Sequence, residues 1–178
     1  MCITGLKKTE SPVDNFFPEL EMDELYWFIG QKSNKETREN VYLITLVSRN
    51  PRQIVGHDVA YDKSPDRIQK IVDAAPNASV YFTDGYLGYI DVVYYPGKHT
   101  RNIHDKRDTY TVEGINADLR HYIPLLRRRS RCFARSIDTL SAVVDLFVDA
   151  FNRFGAAKFK YKQSFPRRSP PFSLIHFL

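Results

Sequence analysis

The sequence is poor in cysteine, and this scarcity excludes two ways of stabilising a small protein. It has only two cysteines in 178 residues, Cys2 and Cys132, and they lie far apart in the chain. Neither belongs to a Cys-x-x-Cys pair, so neither a disulfide framework nor a structural zinc site is indicated. The chain must depend on a hydrophobic core instead, and its 43% hydrophobic content is enough for one domain.

Long apolar segments are also missing. No run approaches the roughly 20 residues that a helix needs to span a bilayer, and residues 1–10 lack the apolar core of a signal peptide. Internal repeats and extended low-complexity segments are absent too. We therefore expect a protein of the cytoplasm with no membrane partner.

The charge is distributed unevenly along the chain. Residues 1–96 contain 10 Lys and Arg against 14 Asp and Glu, whereas residues 97–178 contain 16 against 7. An acidic half followed by a basic half suggests an anionic partner that the second half binds, with nucleic acid as the first candidate. A solvated basic surface on an ordinary protein is the alternative, and the charge alone does not separate the two.

Three segments of the first half have the pattern of β-strands. Residues 20–30 are rich in aromatic side chains and end on a glycine, residues 41–48 form an unbroken apolar run, and residues 53–61 form a weaker third segment. Short polar turns join them. Strands connected in this way predict an antiparallel meander.

The pattern then changes from strands to alternating helices and strands. Ser64 and Pro65 predict the start of a helix that ends before Pro76, and residues 80–84 predict a strand that delivers Asp84 to its carboxyl end. A strand, a helix and a further strand imply a right-handed crossover with parallel pairing. The remaining predictions are a short helix at 85–93, a strand at 98–103, a mobile segment at 104–108, and helices at 109–126 and 136–155.

The chain ends are expected to lie outside the folded domain. Prolines and short polar residues interrupt any regular pattern in residues 1–18, and residues 156–178 are basic and rich in proline. The folded domain is therefore predicted to span residues 19–155.

Three acidic residues fall at points where the predicted elements could converge. Asp23 lies in the first strand, Asp84 ends the fourth, and Glu113 lies near the start of a later helix. Carboxylates that meet repel one another unless a cation lies between them. Oxygen ligands without Cys or His favour Mg²⁺ or Mn²⁺, and two such ions about 4 Å apart can hold a phosphodiester between them.

Each acid also has a simpler interpretation. Asp84 could cap the helix that follows, Asp23 could be a charge on a half-exposed strand beside Glu21 and Glu24, and Glu113 could complement the dipole of its helix. Periodicity alone leaves these alternatives open.

Three segments together resemble a known family. EMDELYWFIG (21–30), FTDGYLGY (82–89) and TVEGINADLRHYIPLLRRRSRCFARS (111–136) are similar to the transposases of the smallest bacterial insertion sequences, of the insertion-sequence-one type. These enzymes belong to the DDE superfamily. The resemblance covers about residues 19–154 and implies an α/β, ribonuclease H-like mixed sheet, in which three antiparallel strands precede parallel strands, with helices on both faces.

The resemblance also implies an activity and a set of site residues. The activity is divalent-metal-dependent DNA cleavage and strand transfer, with two Mg²⁺ or Mn²⁺ ions. Asp23, Asp84 and Glu113 would be the catalytic, metal-binding acids. The expected partners are the element ends and target DNA, bound by a homo-oligomer assembled on DNA in the nucleoid. The implied DNA-binding residues are Asn116, Arg120, Arg127, Arg128, Arg129, Arg131 and Arg135.

The chain departs from this family in two places. Typical members carry an N-terminal DNA-recognition part with paired cysteines, whereas this sequence begins almost at the first catalytic strand. Where such members have Arg-Phe after the glutamate, this chain has Gly114 and Ile115. Two alternatives therefore remain: a truncated, inactive DNA-binding remnant, and a ribonuclease H-like nuclease that acts on RNA–DNA hybrids.

Overall fold

The computed structural model describes residues 16–30, 38–102, 108–128 and 132–154, and they form a mixed α/β fold. The predicted alternation of strands and helices is confirmed. The strands are β1 Phe17–Ile29, β2 Glu39–Ser48, β3 Gln53–Ala60, β4 Ala78–Thr83 and β5 Lys98–Arg101. The helices are α1 Pro65–Ala74, α2 Tyr110–Tyr122 and α3 Ile137–Phe154. The predicted tails lie largely or wholly outside the described residues, as does most of the segment expected to be mobile.

The five strands form one sheet in the order β3-β2-β1-β4-β5. Strands β1, β2 and β3 pair antiparallel, as the short turns predicted. Strand β4 returns through α1 and pairs parallel to β1, and β5 pairs parallel to β4. In this register Met22 lies opposite Thr83, so the next residues along the two strands, Asp23 and Asp84, follow side by side.

Helices cover both faces of the sheet, and β1 packs against both sets of helices because its successive side chains point to opposite faces. Leu20 and Met22 pack on one face with α1, whereas Leu25 and Trp27 pack on the other with α2 and α3. The two faces thus hold separate apolar clusters, and β1 contributes to both. Asp23 lies on the α2 face by the same alternation.

Two helix predictions were wrong in their bounds. The segment 85–93 contains only a single 3₁₀ turn, Leu87–Tyr89. The predicted long helix ends at Tyr122, because the residue before a proline avoids helical geometry and Ile123 is extended. Pro124–Leu126 then forms a separate 3₁₀ turn.

A buried carboxylate fastens the start of α2 to the sheet. The side chain of Glu21 is fully buried, and its Oε2 accepts a hydrogen bond of 2.8 Å from the backbone N–H of Val112. Its Oε1 lies 2.5 Å from Arg49 Nε. Arg49 also binds Glu19 and lies over the ring of Phe82, 4.4 Å from its centroid. Thr109 occupies the N-cap position of α2, but its side chain accepts no capping hydrogen bond. Glu21 instead accepts the hydrogen bond from a backbone N–H of the first turn.

None of the described helices is long and apolar enough to cross a membrane.

Replacement of Arg49 by Met should destabilise the protein strongly. It leaves the carboxylate of Glu21 buried without its cation, which typically costs about 3–5 kcal/mol. Glu19→Gln is the matched control: it removes the other carboxylate bound to Arg49, which is 41% exposed, and should cost less than about 1 kcal/mol. Urea denaturation at pH 7 measures both. Equal losses in the two variants would contradict the role given to Glu21.

Candidate metal centre

Three carboxylates meet at the carboxyl end of β4. Ligand atoms of Asp23, Glu24 and Asp84 all lie within 4.8 Å of one another, and all three side chains are partly buried. We call these three residues the acid cluster. The predicted convergence of Asp23 and Asp84 is therefore found, since β4 runs parallel to β1 and ends beside Asp23.

Helix α2 reaches the acid cluster through Asn116. This side chain is buried, and its Nδ2 donates a 2.8 Å hydrogen bond to Asp23 Oδ2. Thr45 Oγ1 on β2 donates to the Oδ1 of the same amide at 3.4 Å. The amide of Asn116 thus orients Asp23 from within the protein, and its contact with DNA stays a prediction.

The environment of Asp23 favours a bound proton. The pKa of Asp23 is raised from 3.8 to about 6, mainly by burial and further by the charges of Glu24 and Asp84. The hydrogen bond from Asn116 opposes the shift only in part. A carboxylate in this position is stabilised by any cation that enters the acid cluster.

Glu24 is held by two side chains that sequence reasoning did not single out. Lys63 Nζ donates to its Oε1, and the buried hydroxyl of Tyr89 donates to its Oε2 at 2.6 Å. Burial raises the pKa of Tyr89 well above its ordinary value, and the charge of Glu24 adds to it, so Tyr89 remains a donor at neutral pH. For Lys63, burial lowers the pKa, but the hydrogen bond and charge of Glu24 outweigh it, and the net shift is upward.

Asp84 also orders the loop after β4. Its Oδ1 accepts a 2.9 Å hydrogen bond from the backbone N–H of Tyr86. This is a local turn contact and not a helix cap, because the N-cap position of the 3₁₀ turn is Tyr86 and no side chain caps it. The simpler interpretation of Asp84 as a capping residue is therefore wrong.

Glu113 lies outside the acid cluster. It is exposed in the first turn of α2, one turn before Asn116. Glu113 lies on α2, the helix whose Asn116 contacts Asp23. The third carboxylate with a ligand atom within 4.8 Å of those of Asp23 and Asp84 is nevertheless that of Glu24. A metal-binding role for Glu113 stays a prediction.

The basic residues expected at DNA are distributed around the end of α2. Arg120 is partly buried, and its Nε is buried without a hydrogen-bond partner among the described residues. Burial lowers the pKa of Arg120, as does the charge of Arg128, while the charge of Asp23 opposes the shift. Arg127, Arg128 and Arg135 are exposed. Arg129 and Arg131 lie outside the described residues.

The donor set fits a hard divalent cation. The acid cluster offers carboxylate oxygens alone, which suit Mg²⁺ or Mn²⁺ better than zinc. An ammonium group, that of Lys63, already lies against one of the three carboxylates. The acid cluster could therefore bind a metal, and its chemistry does not select between these two ions.

Comparison with known proteins does not assign the chain to a family. No family model matches the sequence, and no significantly similar curated protein was found.

Asp23→Asn should stabilise the protein at alkaline pH. Because the folded pKa of about 6 exceeds the ordinary 3.8, wild-type stability falls as the pH rises through 6, by at most about 3 kcal/mol. The variant carries no such charge. In a metal chelator we expect Asp23→Asn to melt above wild type at pH 8, with the difference largely lost near pH 4.

The control for this experiment is Asp91→Asn, which changes an exposed aspartate. Its effect should stay within about 0.5 kcal/mol at both pH values. A stability difference between Asp23→Asn and wild type that does not change with pH would contradict the raised pKa.

Proposed function

We propose that the chain is the ribonuclease H-like catalytic domain of an insertion-sequence transposase, and that it cuts DNA with a divalent metal. The observation that carries this proposal is the meeting of Asp23 and Asp84 at the carboxyl end of β4, which pairs parallel to β1. The strand order, with three antiparallel strands before the parallel pair, supports the same fold. The resemblance of the three sequence segments supplies the specific activity.

Asp23 and Asp84 would hold Mg²⁺ or Mn²⁺, with Glu113 contributing from α2. A divalent ion bound by these carboxylates would supply Lewis-acid chemistry for the cleavage of a phosphodiester. Asn116 keeps Asp23 in one orientation through its 2.8 Å hydrogen bond. The fastening of α2 by Glu21 sets the position of Asn116 relative to the sheet.

The basic side chains near the end of α2 would bind the DNA backbone. The Nε of Arg120 is buried without a hydrogen-bond partner among the described residues, and the charge of Arg120 interacts with that of Asp23. A phosphate beside the acid cluster would supply an acceptor for this guanidinium. Exposed Arg127, Arg128 and Arg135 would extend the contact with DNA along the strand.

Strand transfer into a target, assembly of several copies on DNA and a place in the nucleoid belong to the same proposal. They depend on the family resemblance, as does the presence of a second metal ion.

A second candidate function is DNA binding without cleavage. The exposed position of Glu113 outside the acid cluster favours it. Gly114 points the same way, because glycine within a helix costs about 1 kcal/mol relative to alanine and weakens the turn that carries Glu113.

Asp84→Ala should abolish metal-dependent cleavage while DNA binding survives. Losing a metal ligand removes several kcal/mol of charge stabilisation, so nicking of supercoiled DNA in Mg²⁺ or Mn²⁺ should fall at least about 100-fold. Glu113→Gln should show a comparable loss, and Asp91→Asn should cut like wild type. If wild type binds DNA but never cuts it, the binding remnant is the correct function. Faster cleavage of RNA–DNA hybrid than of duplex DNA would identify a ribonuclease instead.

Arg120→Ala should weaken DNA binding equally on unrelated sequences. One lost phosphate contact should reduce the slope of log affinity against log salt by about 0.7–0.9. Fluorescence anisotropy from low to moderate salt measures it, in Asp84→Ala protein if wild type cuts the probe. Lys70→Met removes one exposed positive charge on α1 and serves as the control. An unchanged slope in Arg120→Ala would remove Arg120 from the DNA interface.

A further inference from the structure

A protein cation already lies at the acid cluster. Lys63 lies between β3 and α1, and its ammonium group binds Glu24. The same Nζ is 3.7 Å from the ring centroid of Tyr86 and 5.5 Å from that of Tyr42. Its side chain is 26% exposed. Lys63 is therefore held by a carboxylate and by aromatic faces, unlike a lysine that extends freely into solvent.

The charges around Lys63 do not balance. Asp23, Glu24 and Asp84 are three carboxylates, and Lys63 is the cation bound to one of them. With the carboxylates ionised, the three acids and the bound ammonium together keep a net negative charge that attracts a divalent cation. Arg120 is a further cation whose charge interacts with that of Asp23. Asp84 is also close enough to Lys63 for their charges to interact. Lys63 and a divalent ion would thus be attracted by the same group of oxygens.

We propose that Lys63 is a built-in counter-cation of the acid cluster, which holds Glu24 while no divalent ion is bound and competes with Mg²⁺ or Mn²⁺ for that carboxylate. The inference rests on the metal-binding part of the proposed function. It makes Glu24 a carboxylate that the site can use once Lys63 releases it. It also makes Lys63 the residue that limits the affinity of the site for metal.

The surroundings of Lys63 suit an exchange of this kind. Tyr89 binds the other oxygen of Glu24, so the carboxylate keeps one anchor when Lys63 leaves. The ring of Tyr86 is already in contact with the ammonium group, and a cation over an aromatic face retains part of its stabilisation. Lys63 can therefore leave Glu24 without moving into bulk water.

The direct test is calorimetric titration of the protein with Mn²⁺ in the absence of DNA. Lys63→Met removes the competing cation, so it should bind Mn²⁺ about three- to tenfold more tightly than wild type. Lys63→Arg keeps the charge and should stay close to wild type. Lys70→Met removes an equal charge from the exposed surface of α1, so it controls for net charge and should also match wild type.

A double-mutant cycle assigns the effect to Glu24. If Lys63 competes for this carboxylate, Lys63→Met should raise Mn²⁺ affinity clearly less in Glu24→Gln protein, where only the interaction with Asp84 remains to be removed, than in the wild-type background. Thermal melting gives an independent readout of folding. Lys63→Met should melt below wild type in a chelator, because the acid cluster loses its counter-cation, and saturating Mn²⁺ should close the gap.

The possible failures are distinguishable. If Asp84→Ala abolishes Mn²⁺ binding but Lys63→Met binds like wild type, the counter-cation role is wrong and the proposed metal site stands. Weaker Mn²⁺ binding by Lys63→Met that melts cooperatively would also overturn the competition, since the lysine would then support the metal. If neither wild type nor Lys63→Met binds Mn²⁺, both this inference and the metal-dependent function are wrong.

Discussion

The parallel pairing of β4 with β1 is the constraint on which the rest of the site depends. It sets Met22 opposite Thr83 and so places Asp84 beside Asp23. A slip of one residue would move Asp84 to the other face of the sheet. The pairing of β1 with β4 ends at Met22, whereas β1 continues to Ile29 beside β2. The acid cluster therefore lies where β1 continues without β4 beside it. There Glu24 comes close to Asp84, although successive residues of a strand such as Asp23 and Glu24 point to opposite faces of the sheet.

Three acids of β1 are compensated in three different ways. Glu21 is fully buried and receives Arg49 and the backbone N–H of Val112. Glu24 receives Lys63 and the hydroxyl of Tyr89. Asp23 receives the neutral amide of Asn116, and its pKa rises to about 6. Among these three acids, Asp23 is the one whose hydrogen-bonding side chain is neutral, and its raised pKa reflects its burial beside other carboxylates.

Much of the fold could be predicted from local patterns. The positions of β1, β2, β3 and α1 along the chain could be predicted from the unbroken apolar run of β2, the turn signals around it and the proline after Ser64. The short helix expected after Asp84 was wrong, because apolar residues there follow no helical face and Tyr89, Val92 and Tyr94 are buried from an irregular segment. Alternation along the strand puts Glu21 and Asp23 on one face, but it could not reveal that Glu21 is buried with Arg49.

The amino-acid sequence by itself determined the type of each main element and the delivery of Asp84 to the end of a strand, because periodicity and turn chemistry are local properties. Only the tertiary structure decided which side chains meet. Along the chain, Glu24 is separated by 39 residues from Lys63 and by 65 residues from Tyr89, yet it binds both. Contacts between such distant residues leave no signal in local patterns. They depend on where β4 ends beside β1, and that is set by packing on both faces of the sheet.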